Sequence, residues 1–419
     1  MTIDRFATAV FVVAAAGCQT FDPVPLEEVP FLERVKTREG VEVVVKVAVP
    51  TAEQAEAIYG VDLASKGVQP VWVEVENRGD LPYWFLPTVL DPQYFLPSEA
   101  AYAYHRGKES RREAIEGHFE DLAFSNPVPP QARVGGFVLV NQDQGYKAVD
   151  IDVVSAENAE SFVFVFVDPT FAADFQQVDL GGLWTQDQVI AIDDARTLRT
   201  ELERLPQCTT NKKGTAEGDP LNLVVIGKRE EIFTALVRRG WHATESISWG
   251  SIGRTLGSFF TGSRYRYSPI SPLYVYGRHQ DFSAQRARST INERNHMRFW
   301  LTPIRYQDKE VWVGQISRDI GVKFTFKSPT ISTHVIDPDV DEARRHFLED
   351  MAYSQSLEAF GLVAGVGPIA RDDPRENLVG DPFFTDGKRA VLIFEPRPNS
   401  LDMISQIDWT AGIQAEDLP

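Results

Sequence analysis

Three stretches of this sequence combine residue types that could do chemistry. The first is His296-Met297-Arg298-Phe299-Trp300-Leu301, where polar and apolar residues largely alternate. A strand presents successive side chains on opposite faces, so His296, Arg298 and Trp300 share one face and Met297, Phe299 and Leu301 the other. The apolar set suits a helix-covered core. The polar set places a histidine among arginines, which hold it neutral and suit it to act as a base. Ser317-Arg318-Asp319 closes the next strand and reaches the rim of the same face. The competing expectation for this face is a sheet surface of satisfied cross-strand contacts.

The second stretch is His334-x-x-Asp337-x-Asp339-x-Asp341, a histidine and three carboxylates within eight residues. That set could supply zinc or a hard cation. Asp337 precedes Pro338, however, and the pair reads as an N-cap followed by a first-turn proline, with Asp339 and Asp341 favouring the helix dipole. Asp339 and Asp341 are two apart and do not share a helical face. The expectation is therefore a helix start, with no metal and no other cofactor.

The third stretch is basic. Residues 264–306 carry eight arginines (264, 266, 278, 286, 288, 294, 298 and 305) against Asp281 and Glu293, a net charge of +6. Arginine binds carboxylate and phosphate bidentately. Interleaved with tyrosines, the stretch is a candidate anion site, with Arg264, Arg266, Tyr274, Tyr276, Arg278, Arg298 and Arg318 as the ligand-binding set. A solvated basic face with local ion pairs is the alternative. The charge is regional: residues 218–350 are net +4, while the whole 419-residue chain is net −18. Such an acidic chain argues against nonspecific nucleic-acid binding. No G-x-S-x-G elbow, P-loop, H-E-x-x-H or C-x-x-C is present, and each of those would have pointed to a defined reaction. Two cysteines cannot make a disulfide scaffold.

The chain's start carries an address. After Arg5, residues 6–16 form a run of small and apolar side chains ending in Ala15-Ala16-Gly17-Cys18. The run is too short to span a bilayer, which needs ~20 residues. It resembles a bacterial lipobox, with Ala15 standing where leucine is commoner. The resemblance implies residues 1–18 as a lipoprotein signal, lipidation at Cys18 and anchoring to a membrane by two or three acyl chains. Gln19 in place of an aspartate favours the outer membrane, facing the periplasm. Cys208 then has no intramolecular partner, and an unreactive buried thiol is expected.

The elements that must position these residues give an α+β chain. Residues 19–35, rich in proline and acidic residues, read as a tether. Strand-like runs at 41–47, 71–75, 136–140, 148–154 and 162–167 predict an N-terminal antiparallel β-sandwich over 36–170, with a helical insertion at 98–122. Helical spacing over 188–205 predicts a helical connector within 171–217, and the polar stretch 209–217 a domain boundary. From 218 the pattern becomes strand 221–227, helix 229–239, strands at 273–276, 296–301 and 311–316, a helix over 338–355 and a strand at 390–394. That order predicts a mixed α/β domain over 218–395, with helices on one sheet face and a tail at 396–419.

Several short motifs in this second half occur in a recognisable order. They are Gly218-Asp219-Pro220-Leu221-Asn222-Leu223-Val224, Ser263-Arg264-Tyr265-Arg266-Tyr267-Ser268-Pro269, Leu273-Tyr274-Val275-Tyr276-Gly277-Arg278, Glu293-Arg294-Asn295-His296, Val311-Trp312-Val313-Gly314, Ser317-Arg318-Asp319-Ile320-Gly321 and 333–341. With them, residues 218–395 resemble the LssY C-terminal domain family. The resemblance implies a cell-envelope protein, and its relatives' fusion to modules like lipid phosphatases points toward lipid or isoprenoid-phosphate handling. That is an association by fold and neighbourhood rather than a mechanism. The phosphatase signature itself is missing, since Ser317-Arg318 would need a histidine at 324, which is Phe324. The expected function is binding of an anionic envelope ligand, a phospholipid or isoprenoid-phosphate headgroup, through the Arg/Tyr face. The alternative is a hydrolase of a phosphorylated or acylated envelope lipid, with His296, Asp319 and His334 catalytic and the arginines holding the anion.

Overall fold

The computed structural model describes residues 21–105, 107–143, 146–167, 178–244, 271–287, 294–324, 332–396 and 398–409. The chain divides into two compact units, one of residues up to Asp80 with Asp91–Gln142, the other of Leu81–Leu90 with everything from Asp143 onward.

In the first unit, strands Lys36–Glu39, Val43–Ala48, Val68–Asn77 and Arg133–Asn141 pair antiparallel in that order. The outermost, Lys-Thr-Arg-Glu, is exposed at every position, and a charged edge strand discourages pairing with other chains. Phe31, Tyr59, Trp72, Phe119 and Phe137 build the core between sheet and helices. Helix Ala52–Tyr59 opens on a reciprocal Thr51–Gln54 cap and stops at Gly60, whose φ of 64° is left-handed. The insertion at 98–122 is helical as its composition suggested, with helices Pro97–Tyr102 and Glu109–Asp121.

The strands expected to form one sandwich divide between two sheets. Tyr146–Val154 pairs with Ala159–Val167 on one side and Trp84–Phe85 on the other in a three-stranded sheet of the second unit. Arg238 from a helix of that unit reaches this sheet, pairing with Asp152 at 2.9 Å.

The second unit is built on a mixed sheet of ten strands among the described residues. Its centre runs Phe282–Ala287, Arg294–Tyr306, Lys309–Phe324, Leu223–Gly227, Lys388–Phe394, Leu357–Ala364. Leu223–Gly227 lies parallel to Lys388–Phe394 and antiparallel to Lys309–Phe324. Being central, it is buried at all five positions, which explains its unbroken apolar sequence. Leu223 and Val225 join one core with Met297, Phe299 and Ile316, under helices Arg229–Arg238 and Val340–Ala352. Val224 and Ile226 join the other core with Trp300 and Val313. Gly314 faces Phe299 across the strands, and a Cβ there would lie 2.5 Å from the ring.

The helices inside 218–395 share one face as expected, but a further helix covers the opposite one. Ala195–Glu203, capped by Asp194, buries Leu198 and Leu202 in the second core. The helical reading of 188–205 began too early. Ile190–Ile192 is a short strand parallel to Arg294–Tyr306, as its branched isoleucines favour. Arg389, fully buried, donates to the carbonyls of Leu202, Leu205, Pro206 and Leu221. It thereby satisfies the helix's orphan C-terminal acceptors and pins the segment to the sheet. Burial pulls its pKa down to about 10, so it stays charged at neutral pH. The polar stretch 209–217 forms the tip of a hairpin between Cys208–Thr210 and Glu217–Pro220, turned at Gly214 with φ 66°.

Candidate functional site

The long hairpin of Arg294–Tyr306 and Lys309–Phe324 positions the chemistry. It turns at Gln307 and Asp308, both with positive φ, the backbone that two-residue hairpin turns require. Counting back from the turn would set His296 opposite Asp319. The register shifts between Leu301 and Arg305, however, and His296 lies opposite Ser317, Arg298 opposite Gln315. Two extra residues in the first strand keep the alternation of faces intact while moving the partner. On the other side, Phe282–Ala287 sets Gln285 opposite His296 and Ser283 opposite Arg298.

The result is a row of polar side chains on the face away from Met297 and Phe299. It is buried: Ser317 and Asp319 are 1 % exposed and His296 7 %. Ser317 Oγ is hydrogen-bonded to His296 Nε2 at 2.9 Å, while His296 Nδ1 and Asp319 Oδ1 lie 3.2 Å apart in a contact without hydrogen-bond geometry. Arg294 Nε donates to Asp319 Oδ2 at 2.9 Å and its Nη1 to Gln285 Oε1 at 2.7 Å. Gln315 Nε2 donates to Ser317 Oγ at 2.9 Å, and Arg298 Nη1 donates to Gln315 Oε1 at 2.8 Å. Arg298 is itself fixed by Nε and Nη2 donating to Ser271 O at 3.1 and 3.0 Å. A hydroxyl, an imidazole and a carboxylate in sequence are the parts of nucleophile, base and orienting acid. His296 and Asp319 were expected from the sequence. Ser317 was placed on the right face without a role, and Gln315 went unnoticed. The signal for both was strand parity, positions 315, 317 and 319 answering 298 and 296.

The other expected residues do not join this row as a group. His334 sits in strand Ser332–Ile336 with its backbone opposite Val322. Val322 is five positions beyond Ser317 in the strand, roughly 17 Å at ~3.4 Å per residue. The His334 side chain falls outside the described residues. Arg318 alternates to the opposite face from Ser317, where it meets Asn295 Oδ1 at 3.4 Å and Glu342 Oε2 at 3.3 Å. Arg278 belongs to a separate small sheet with Tyr274. It pairs bidentately with Asp281 at 2.8 and 2.9 Å, donates to Leu301 O at 2.8 Å and lies over the rings of Trp184 and Tyr276, 5.2 and 5.3 Å from their centroids. Burial pushes the Tyr276 hydroxyl up to about 12. An open cleft beside Arg278 is lined by Asp179, Leu183, His279 and Asp281, so its one arginine is answered by carboxylates. Arg278 and Arg298 therefore hold different partners instead of converging. Arg264, Arg266 and Cys18 lie outside the described residues. Cys208 is buried, and that burial pushes its thiol up to about 11, which keeps it protonated and unreactive at neutral pH.

The His334–Asp341 stretch starts a helix, two residues later than expected. Asp339 caps Val340–Ala352 by accepting from Asp341 N, and Asp337 accepts from Asp339 N. Asp341 is buried and accepts from Thr385 Oγ1 and Asp386 N. Among the described residues no three His, Cys, Asp or Glu side chains group to hold a metal.

These features define an α+β domain with one apolar and one partly polar buried sheet face, the latter holding a Ser–His–Asp row. Residues 200–388 match the family model of the LssY C-terminus. No curated protein matches the chain.

Proposed function

We propose that this domain is a serine-dependent hydrolase acting on an acyl ester of a cell-envelope lipid. The observation that carries the reading is the contact series Ser317 Oγ to His296 Nε2 to Asp319, at 2.9 and 3.2 Å in a buried row. Ser317 Oγ attacks the ester carbonyl carbon while its proton passes to His296 Nε2, and Asp319 steadies the imidazolium. Collapse breaks the bond to the leaving alcohol, which takes that proton. A water deprotonated by His296 then attacks the acyl-Ser317 ester, releasing the acid and restoring the hydroxyl. An acyl rather than phosphoryl group is favoured because the arginines near Ser317 already face acceptors of their own chain. The same engagement leaves simple anion binding with weaker support. Location follows from the lipobox-like start: a lipid on Cys18 would hold the protein at the outer membrane, and Cys18→Ala would then release it from the membrane fraction.

The row is closed to solvent, so turnover requires it to open. A fluorophosphonate probe tests reactivity and opening together. Full-length protein should be modified at Ser317, and Ser317→Ala should abolish the modification. Wild-type protein that stays unmodified, both in detergent and in lipid vesicles, sinks the hydrolase reading.

A further inference from the structure

Resting on the hydrolase reading, we infer that Gln315 is a catalytic residue that holds the oxyanion and that Arg298 positions it. The inference runs through donors and acceptors. A guanidinium has only N–H donors, so the Gln315 atom facing Arg298 Nη1 at 2.8 Å must be the oxygen. The amide nitrogen is then turned to Ser317 Oγ, at 2.9 Å. With one lone pair of its oxygen taken by Gln315, the Ser317 hydroxyl can still give its proton to His296 Nε2, at 2.9 Å. On its other side the imidazole has Asp319 Oδ1 3.2 Å from Nδ1, a contact without hydrogen-bond geometry. By holding the amide oxygen, Arg298 orients the Gln315 amide toward Ser317.

The same amide is suited to a second task. When Ser317 Oγ bonds to carbon, negative charge develops on the former carbonyl oxygen, next to the nucleophile. Gln315 has two N–H donors beside Oγ, and a cation bonded to its oxygen polarises them. Removing one such side-chain donor from a hydrolase slows the chemical step by ~10²–10³-fold. Arg298 is buried at 5 % exposure and anchored by two bonds to Ser271 O, so the amide is held ready rather than recruited.

Gln315→Glu separates the catalytic from the structural role. It keeps the shape and an acceptor for Arg298 but removes both N–H donors. The full-length variant should fold with an unchanged or higher Tm, and fluorophosphonate labelling of Ser317 should slow ~10²–10³-fold. Ester turnover should fall in kcat with little change in KM. Arg298→Lys, which retains one donor to Gln315, should label within about tenfold of wild type, whereas Arg298→Met should match the Gln315 loss. Arg298→Met combined with Gln315→Glu should lose no more than either alone. Labelling of Gln315→Glu at the wild-type rate overturns this assignment while leaving Ser317 as nucleophile. Failure of the wild type to label overturns both.

Discussion

On one side of the central hairpin, Met297, Phe299 and Ile316 pack under two helices; on the other, at alternate positions, His296, Arg298, Gln315, Ser317 and Asp319 are equally buried. Backbone, register and burial are shared, yet the energetics are opposite. Each large apolar side chain gains about 1.5–3 kcal/mol by leaving water. Each polar group loses its hydration, and its hydrogen bonds return little more than that cost. The apolar face therefore stabilises the domain. The polar face contributes little to stability and demands that every partner be present. A sheet interior gains nothing in folding from a buried Ser–His–Asp row, and reactivity is the physical reason we advance for keeping one.

The largest effects should expose that asymmetry. Phe299→Ala, 1 % exposed and lying over Gly314, should cost about 3–5 kcal/mol by chemical denaturation. Its labelling by the fluorophosphonate should persist below the new transition. Arg294→Met should cost a similar amount, ~3–5 kcal/mol, for a different reason: it leaves the Asp319 carboxylate, paired at 2.9 Å, buried without its cation. A cost under about 1 kcal/mol for Arg294→Met would mean that the row is hydrated and the comparison false. Ser317→Ala should come next, at about 1–2 kcal/mol, since it leaves one donor of Gln315 and the Nε2 of His296 short of a partner.

How much of this could be read in the sequence follows the same division. The alternation at 296–301 fixed which residues face the helices, because apolar periodicity is local and period-two. It also put His296 and Arg298 on the other face. It could not fix who stands opposite them. The pairing depends on two extra residues between Leu301 and Arg305, and a bulge leaves no compositional mark there beyond Pro303. The arginine stretch misled for a related reason. Charge along the chain shows where cations occur, and the local Asp281 among them, but not that Asp319, Glu342 and Asp350 arrive from other elements to meet them. The hairpin at 208–220 read as a linker because its tip, Asn211 to Gly214, has turn composition and its strands are short and polar. Helix Ala195–Glu203 was legible as a helix, but its docking depends on Arg389, far along the chain.

The smallest expected change in stability gives the sharpest test of the comparison. Replacing both members of the buried pair, Arg294→Met with Asp319→Leu, removes the two charges together and leaves no uncompensated ion. Such apolar replacements are commonly neutral or stabilising by ~1–4 kcal/mol. The double variant should therefore melt at or above the wild-type temperature, in contrast to Arg294→Met alone. Reactivity should move the other way. Without a carboxylate at 319, the imidazole loses the charge that lies 3.2 Å from its Nδ1, a loss worth roughly 10⁴-fold in hydrolases of this design. Fluorophosphonate labelling of Ser317 should then fall by about that factor in a protein at least as stable as the original. A double variant that unfolds would assign the row to structure. One that stays folded and labels normally would remove Asp319 from the mechanism.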